Sequence, residues 1–143
     1  VLVCVTTSRP AALARVAAAL LTLTALAGCG GQVTDVGGVT VLVAAPAPDG
    51  MDALGGGRLE VVGGCLGASG SVVVWPHGTE VVIEEPLTIS IPDVGTYRVG
   101  DDVRIGGGYV LEHTSSDVAP GPYDAGGVTV PASCAAYDVF LAS

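Results

Sequence analysis

Glycine and proline interrupt this chain so often that a bundle of long helices is excluded. The 143 residues include 22 Gly and 9 Pro, and both residue types are unfavourable in helix interiors. Half of the residues are hydrophobic and the mean hydropathy is +0.65, which excludes a polar, disordered chain. Short strands separated by turns remain, and the length allows one domain with a single modest core.

The charge balance narrows the choice of partners. The chain carries 14 acidic and five basic residues, so its formal net charge is −9 at pH 7. Nucleic-acid binding needs a basic surface that neutralises phosphates, and five arginines without any lysine provide little of one. We therefore expect no nucleic-acid partner.

The N-terminal segment has the pattern of an export signal. Arg9 and Arg15 precede an uncharged apolar run, residues 16–27, of only 12 residues. A helix that crosses a bilayer needs about 20 such residues, whereas the apolar core of a signal peptide is shorter. The sequence predicts a signal-peptide helix over residues 1–28. The alternative is a buried hydrophobic helix.

The end of this segment, Leu26-Ala27-Gly28-Cys29, resembles the lipobox of bacterial lipoprotein precursors. In that family the cysteine thiol is modified with diacylglycerol, and a dedicated signal peptidase cleaves the chain before it. The resemblance implies that Cys29 is the acylated first residue of a mature lipoprotein. It also implies that the partner of Cys29 is the lipid bilayer of the cell membrane, with the protein facing outside the cytoplasm.

Counting cysteines predicts one disulfide. Of the four cysteines, Cys4 lies in the predicted signal peptide and Cys29 in the lipobox, which leaves Cys65 and Cys134. An even remainder in an exported chain favours a bridge between them. The alternatives are two free buried cysteines, or a metal pair that lacks nearby histidine ligands.

Composition changes near residue 57. Residues 30–57 mix glycine pairs, an Ala-Pro repeat and three acids, which is typical of a flexible segment because little apolar side chain offsets the backbone entropy of ordering. The sequence predicts a tether over residues 29–57 and a domain over residues 58–143. The run Val39–Val43 is alternatively an edge strand of that domain.

Residues 58–143 read as short strands divided by Gly and Pro turns, with no window of helical periodicity. Antiparallel hairpins fit this spacing better than a parallel sheet. The predicted fold is all-β: a small antiparallel β-barrel of five or six strands, or alternatively a two-sheet β-sandwich. The predicted strands are 58–62, 71–75, 80–84, 87–91, 96–99, 102–105, 109–112, 128–130 and 137–142.

Several motifs in this region form a second resemblance. Gly64-Cys65-Leu66, residues 72–79 (VVVWPHGT), residues 99–108 (VGDDVRIGGG) and the late Cys134 resemble a pattern of uncharacterised small exported proteins of high-GC Gram-positive type. The resemblance implies a compact β domain with a cysteine near each end. It implies no substrate.

No catalytic or metal motif is evident. The two histidines, His77 and His113, have no ligand or base partner at a spacing that joins them on one face, so we interpret them as surface residues. The run 106–108 lacks the Lys-Ser/Thr of a phosphate-binding loop and predicts a turn or bulge between strands. We therefore predict no catalytic residue, no cofactor and no metal.

The remaining candidates for a ligand surface are Trp75, His77 and Tyr123, the last on a long loop. The favoured function is a membrane-tethered, non-enzymatic binding or interaction module with a cell-wall or protein partner. The alternative is a small cell-envelope hydrolase or its accessory. That alternative requires a pocket in which His77 or His113 meets a carboxylate or hydroxyl within about 3 Å.

Overall fold

The all-β prediction is confirmed. The computed structural model describes residues 30–113 and 121–143, and strands account for 59% of them against 4% for helix. Within these two ranges no helix is long and apolar enough to span a bilayer. The predicted signal peptide and Cys29 lie outside the described residues.

The described chain forms twelve strands and one short helix. Five predicted strands recur within one residue of their expected bounds, and β1, β4, β10 and the helix α1 were not predicted. The elements are β1 Gln32–Val36, β2 Val39–Val43, β3 Ala53–Val62, β4 Cys65–Ala68, β5 Ser71–Trp75, β6 Glu80–Glu84, β7 Leu87–Ile91, β8 Gly95–Arg98, β9 Asp102–Leu111, β10 Tyr123–Ala125, β11 Val128–Val130, α1 Ala132–Ala135 and β12 Val139–Ala142.

The strands pair into three sheets. The largest has the order β1-β2-β4-β3-β9-β12-β5, and β5 pairs again with β4 and β2, so five strands form a ring of hydrogen-bonded neighbours. The other sheets are the hairpin β10-β11 and the meander β6-β7-β8. Most strand pairs are antiparallel, as expected, but β12–β5, β2–β5 and β2–β4 pair in parallel, which the sequence did not predict. Strands buried on both faces favour such pairing.

One core cluster lies inside the ring. Every strand of the ring contributes at least one apolar side chain to it, and β7 covers it with three more. Trp75 is 0% exposed in this cluster, and Phe140 packs its ring edge against Tyr109 at a centroid distance of 5.3 Å. The cluster contains Leu59, Leu66, Val73, Trp75, Val103, Ile105, Phe140, Leu87, Ile89 and Ile91.

A second cluster lies on the opposite face of the same strands and contains the disulfide. The side chains of Val72 and Val74 alternate with those of the first cluster along β5 and are covered by β11 and α1. The predicted bridge is confirmed: Cys65 on β4 is bonded to Cys134 on α1, with a Cα–Cα distance of 5.8 Å. Both cysteines are buried.

The predicted tether, residues 29–57, is corrected by the structure. Its described part forms β1, β2 and the first half of β3. The run Val39–Val43, weighed only as an alternative, is a strand between β1 and the ring, and Val41 and Leu42 are fully buried. The folded domain therefore begins well before Arg58. The sequence did not reveal this earlier start of the domain, because the segment is rich in glycine and its apolar runs are only five residues long.

The predicted turn or bulge at residues 106–108 is also wrong, because these glycines lie inside the continuous strand β9. They lie between the start of β3 and the C-terminal strand β12: Ala53 pairs with Gly107 on one side, and Ala142 pairs with Gly107 on the other. The missing side chains leave room for the Phe140 ring, whose Cε1 would lie 2.7 Å from a Cβ at Gly107. Glycine is here a packing requirement within a strand.

Candidate functional site

The three residues of the predicted ligand surface do not form one surface. Trp75 is fully buried, which overturns its assignment, because the last residue of β5 points into the ring. Tyr123 is 37% exposed and its hydroxyl donates a hydrogen bond to the carbonyl of Val110 at 2.9 Å. His77 is exposed in the turn after β5 and lines a cleft.

This cleft has a volume of about 620 Å³. One wall is the segment 44–52, which follows β2, and the other is the end of β12 with Ser143. Pro76, His77 and Gly126 complete the lining. The volume lies within the range of small-ligand sites, roughly 300–1,000 Å³. It is therefore the candidate functional site.

The Ala-Pro repeat explains why a wall forms here. Pro46 and Pro48 have no N–H to donate, so the strand β2 cannot extend into this repeat, and the small side chain of Ala47 between them leaves space open. Backbone hydrogen bonds fix where the segment leaves the sheet. Ala44 donates to Trp75 and Ala45 donates to Gly126, both at 2.8 Å.

The far end of the wall is fixed by the last residue. The Ser143 hydroxyl donates to the carbonyl of Met51 at 3.0 Å, and its backbone N–H donates to Gly106 at 3.0 Å. The cleft is thus bounded by a segment held at both ends. A preformed cleft binds a ligand without a large cost of ordering its walls.

The lining combines an apolar floor with acids at the rim. Ala44, Ala45 and Leu141 contribute apolar surface, while Asp49 and Asp52 are exposed on the segment wall. Carboxylates attract cations and hydrogen-bond donors. The arrangement suits a small ligand with an apolar body and a positively charged group.

Neither histidine is joined to a catalytic partner within the described part of the chain. The ring Nε2 of His113 lies 2.9 Å from the carbonyl oxygen of Ala135, and its backbone N–H donates to Asp138 at 2.7 Å. No hydrogen bond links either imidazole to a carboxylate or hydroxyl within residues 30–113 and 121–143. The same ranges contain no cluster of three potential metal ligands.

Sequence reasoning placed His77 in the site and missed most of the rest. Asp49, Asp52 and Met51 lie in the segment predicted as a tether, and Ser143 is the last residue of the sequence. The available signal was the strand-like run Val39–Val43, since a strand immediately before an Ala-Pro segment indicates that the segment leaves a folded sheet.

Comparison of the chain with protein families, with curated proteins and with solved structures finds no match.

Proposed function

We propose that this chain is a lipid-anchored binding module, held on the outer side of the cell membrane by acylated Cys29 and taking its ligand in the cleft beside His77. The observation that carries the binding role is the cleft of about 620 Å³ between segment 44–52 and the end of β12. The lipobox Leu26-Ala27-Gly28-Cys29 supports the anchor. The disulfide between Cys65 and Cys134 is typical of oxidising, extracytoplasmic compartments.

The ligand class follows from the cleft's lining. Asp49 and Asp52 provide negative charge at the rim, and alanines and Leu141 provide apolar contact below it. A compact amine with an apolar body complements both features, since the cation is attracted by carboxylates while its body leaves water. The formal net charge of the whole chain, −9 at pH 7, also favours the approach of cations.

The rival function, a small cell-envelope hydrolase, needs a proton-transfer partner for a histidine. The His113 ring is engaged by the Ala135 carbonyl, which neither activates a nucleophile nor takes up a proton. His77 lines the cleft but has no hydrogen-bond partner in the described chain. Binding requires no such partner, and the geometry of the cleft therefore favours it.

The anchor is tested by intact mass. The full chain is expressed in a bacterial host that processes lipoproteins and is purified from the membrane fraction. We expect a chain that starts at Cys29 and carries the added mass of diacylglycerol. The variant Cys29→Ala is expected to remain uncleaved and unacylated. A wild-type chain of unprocessed, unmodified mass contradicts the anchor.

The cleft is tested with benzylamine, an apolar ring that carries an ammonium group. We expect saturable binding by ligand-observed NMR, with neutral benzyl alcohol binding more weakly. Replacing both Asp49 and Asp52 by Asn is expected to weaken benzylamine binding about fivefold, since two exposed ion pairs contribute on the order of 1 kcal/mol together.

The matched control is Asp93→Asn, which removes one acid from the turn between β7 and β8, outside the cleft lining. Asparagine tolerates the φ of 61° at this position. Equal benzylamine affinity in the wild type and the Asp49/Asp52 double variant contradicts the cleft as the binding site.

A further inference from the structure

The folded domain begins almost immediately after the proposed site of acylation. Only Gly30 separates Cys29 from Gly31. The backbone N–H of Gly31 donates to the carbonyl of Gly127 at 3.0 Å, and β1 starts at Gln32. An extended chain spans at most about 3.6 Å per residue, so the Cα atoms of Cys29 and Gly31 lie within roughly 7 Å of each other. That reach matches one headgroup layer, about 5–7 Å thick, so an acylated Cys29 holds Gly31 at the membrane surface.

The surface around Gly31 carries no charge. Three uncharged segments meet there, and we call them together the uncharged end: residues 30–34, residues 43–48 and residues 125–128. A Cβ at Gly31 would lie 2.8 Å from the carbonyl oxygen of Val43 and 2.7 Å from the Cβ of Val128, so the three segments approach closely. The chain carries 14 acids, and none of them is in these segments. The uncharged end can therefore approach anionic lipids without like-charge repulsion at the contact.

Exposed apolar side chains lie on the same end. Val33 on β1 is 51% exposed, and residues 46–48, Pro-Ala-Pro, are exposed after β2. Apolar surface gains free energy when it leaves water for the boundary between headgroups and acyl chains. The composition of the uncharged end thus favours contact with lipid.

The cleft is built from this end of the domain. Five residues belong both to the cleft lining and to the uncharged end: Ala44, Ala45, Ala47, Pro48 and Gly126. Ala45 donates to the carbonyl of Gly126 at 2.8 Å. The next residue, Gly127, accepts the hydrogen bond from Gly31. Because the start of the domain and a wall of the cleft are bonded to neighbouring turn residues, the anchor that holds Gly31 at the membrane also brings the cleft there.

The polar groups of the cleft match a headgroup that carries both an ammonium and a phosphate group. Asp49 and Asp52 are exposed on one wall, and carboxylates accept hydrogen bonds from ammonium N–H groups. His77 lines the same cleft, and a neutral imidazole has one N–H to donate to a phosphate oxygen. An ethanolamine phospholipid carries these two groups joined by two carbons. A choline headgroup has the charge but no N–H.

We propose that the uncharged end lies on the bilayer, and that the cleft binds the headgroup of an ethanolamine phospholipid from the layer it touches. This inference rests on the proposed function, because it requires both the acylated Cys29 and a ligand in the cleft. It adds the source of that ligand, which is the membrane. The short connection keeps headgroups at a high effective concentration beside the cleft, so a weak contact with each one is enough for occupancy.

The orientation is tested by fluorescence quenching. The acylated chain is reconstituted in phosphatidylcholine vesicles that contain a lipid with a nitroxide on its headgroup. Cys29 is then acylated and Cys65 is bonded to Cys134, so an introduced cysteine is the single free thiol of the processed chain. It is labelled with nitrobenzoxadiazole at Ala47→Cys, in the uncharged end, or at Glu112→Cys.

Glu112 is the matched control because it is exposed and lies away from the cleft. It follows Leu111, which pairs with Val139 at the start of β12, whereas β12 meets the cleft at its other end. The length of β12 separates the two levels by about 10 Å, so we expect the label at residue 47 to be quenched about twofold more strongly.

The source of the ligand is tested by competition with benzylamine. The acylated chain is placed in nanodiscs of phosphatidylcholine alone, or of equal parts phosphatidylcholine and phosphatidylethanolamine. We expect the apparent Kd for benzylamine to rise about threefold in the second preparation, as it does when two thirds of the clefts hold a headgroup. Phosphatidylcholine is the matched lipid, since its headgroup differs only in lacking the N–H donors.

A longer connection provides the matched variant of the protein. Twelve Gly and Ser residues inserted between Gly30 and Gly31 keep the anchor, the domain and the cleft, and add a mean reach of about 20 Å. Its benzylamine affinity in phosphatidylcholine nanodiscs should equal that of the wild type. Quenching at residue 47 should fall to the level at residue 112, and the effect of phosphatidylethanolamine should be about halved or less.

The outcomes distinguish this inference from the function on which it rests. An unacylated chain, or no benzylamine binding in phosphatidylcholine nanodiscs, contradicts the proposed function and this inference with it. Saturable benzylamine binding that is equal in both nanodiscs keeps the cleft as a binding site and overturns the membrane source of its ligand. Equal quenching at residues 47 and 112 overturns the orientation. An undiminished effect of phosphatidylethanolamine in the lengthened chain shows that the short connection does not position the cleft, which also overturns the inference.

Discussion

Removing the disulfide by the double replacement Cys65→Ala and Cys134→Ala is expected to lower the free energy of unfolding by about 4 kcal/mol. The two cysteines are 69 residues apart in sequence, so the bridge closes a loop that contains eight of the twelve described strands, β4 to β11. Opening the cross-link restores the entropy of that loop to the unfolded chain. A loss of 4 kcal/mol reduces the ratio of folded to unfolded protein about a thousandfold.

Chemical denaturation followed by Trp75 fluorescence measures this loss, because Trp75 is the single tryptophan and is fully buried. Reduction of the wild type is the matched control. It opens the bridge but keeps both sulfurs in the core, and so separates the cross-link from the packing of Cys65 and Cys134. A loss below about 1 kcal/mol in both samples contradicts the chain-entropy account.

The fold was predictable from sequence wherever a strand lies between strong turn residues. β5, β6 and β7 occur at the predicted residues because Gly, Pro and Asp mark their ends. The disulfide was predicted because Cys65 and Cys134 remain once Cys4 is assigned to the signal peptide and Cys29 to the lipobox. Pairing between distant strands was not predictable. The parallel pair β12–β5 joins residues 139–141 to residues 72–74, and neither stretch of sequence contains a signal for the other.

The candidate site was largely hidden in the sequence. Residues 44–52 were predicted as a tether from their composition. A flexible linker and a cleft wall held by hydrogen bonds can both be rich in alanine, proline and glycine, so composition does not distinguish them. What holds this wall is Ser143 bonding to Met51, a contact between residues far apart in the chain.

The second large effect is expected at Gly107, where Gly107→Ala should lower the free energy of unfolding by about 3 kcal/mol. Its φ of 150° lies in the region that side chains rarely adopt, which costs about 1–2 kcal/mol. An added Cβ also meets the carbonyl oxygen of Leu141 and lies 2.9 Å from the Cα of Ala142. Backbone cannot move aside as a flexible side chain can, so overpacking contributes roughly 1–3 kcal/mol more.

Gly64→Ala separates these two causes. Gly64 has a φ of 82° and no atom within 4 Å of an added Cβ, so this variant carries the backbone strain without the overpacking. It should cost only about 1 kcal/mol in the same denaturation experiment. Equal losses at Gly64 and Gly107 would show that β12 moves away from β9 without cost. A larger loss at Gly107 would mean that β9 and β12 are packed too closely at this position for any residue but glycine, so that the glycine is required inside a continuous strand.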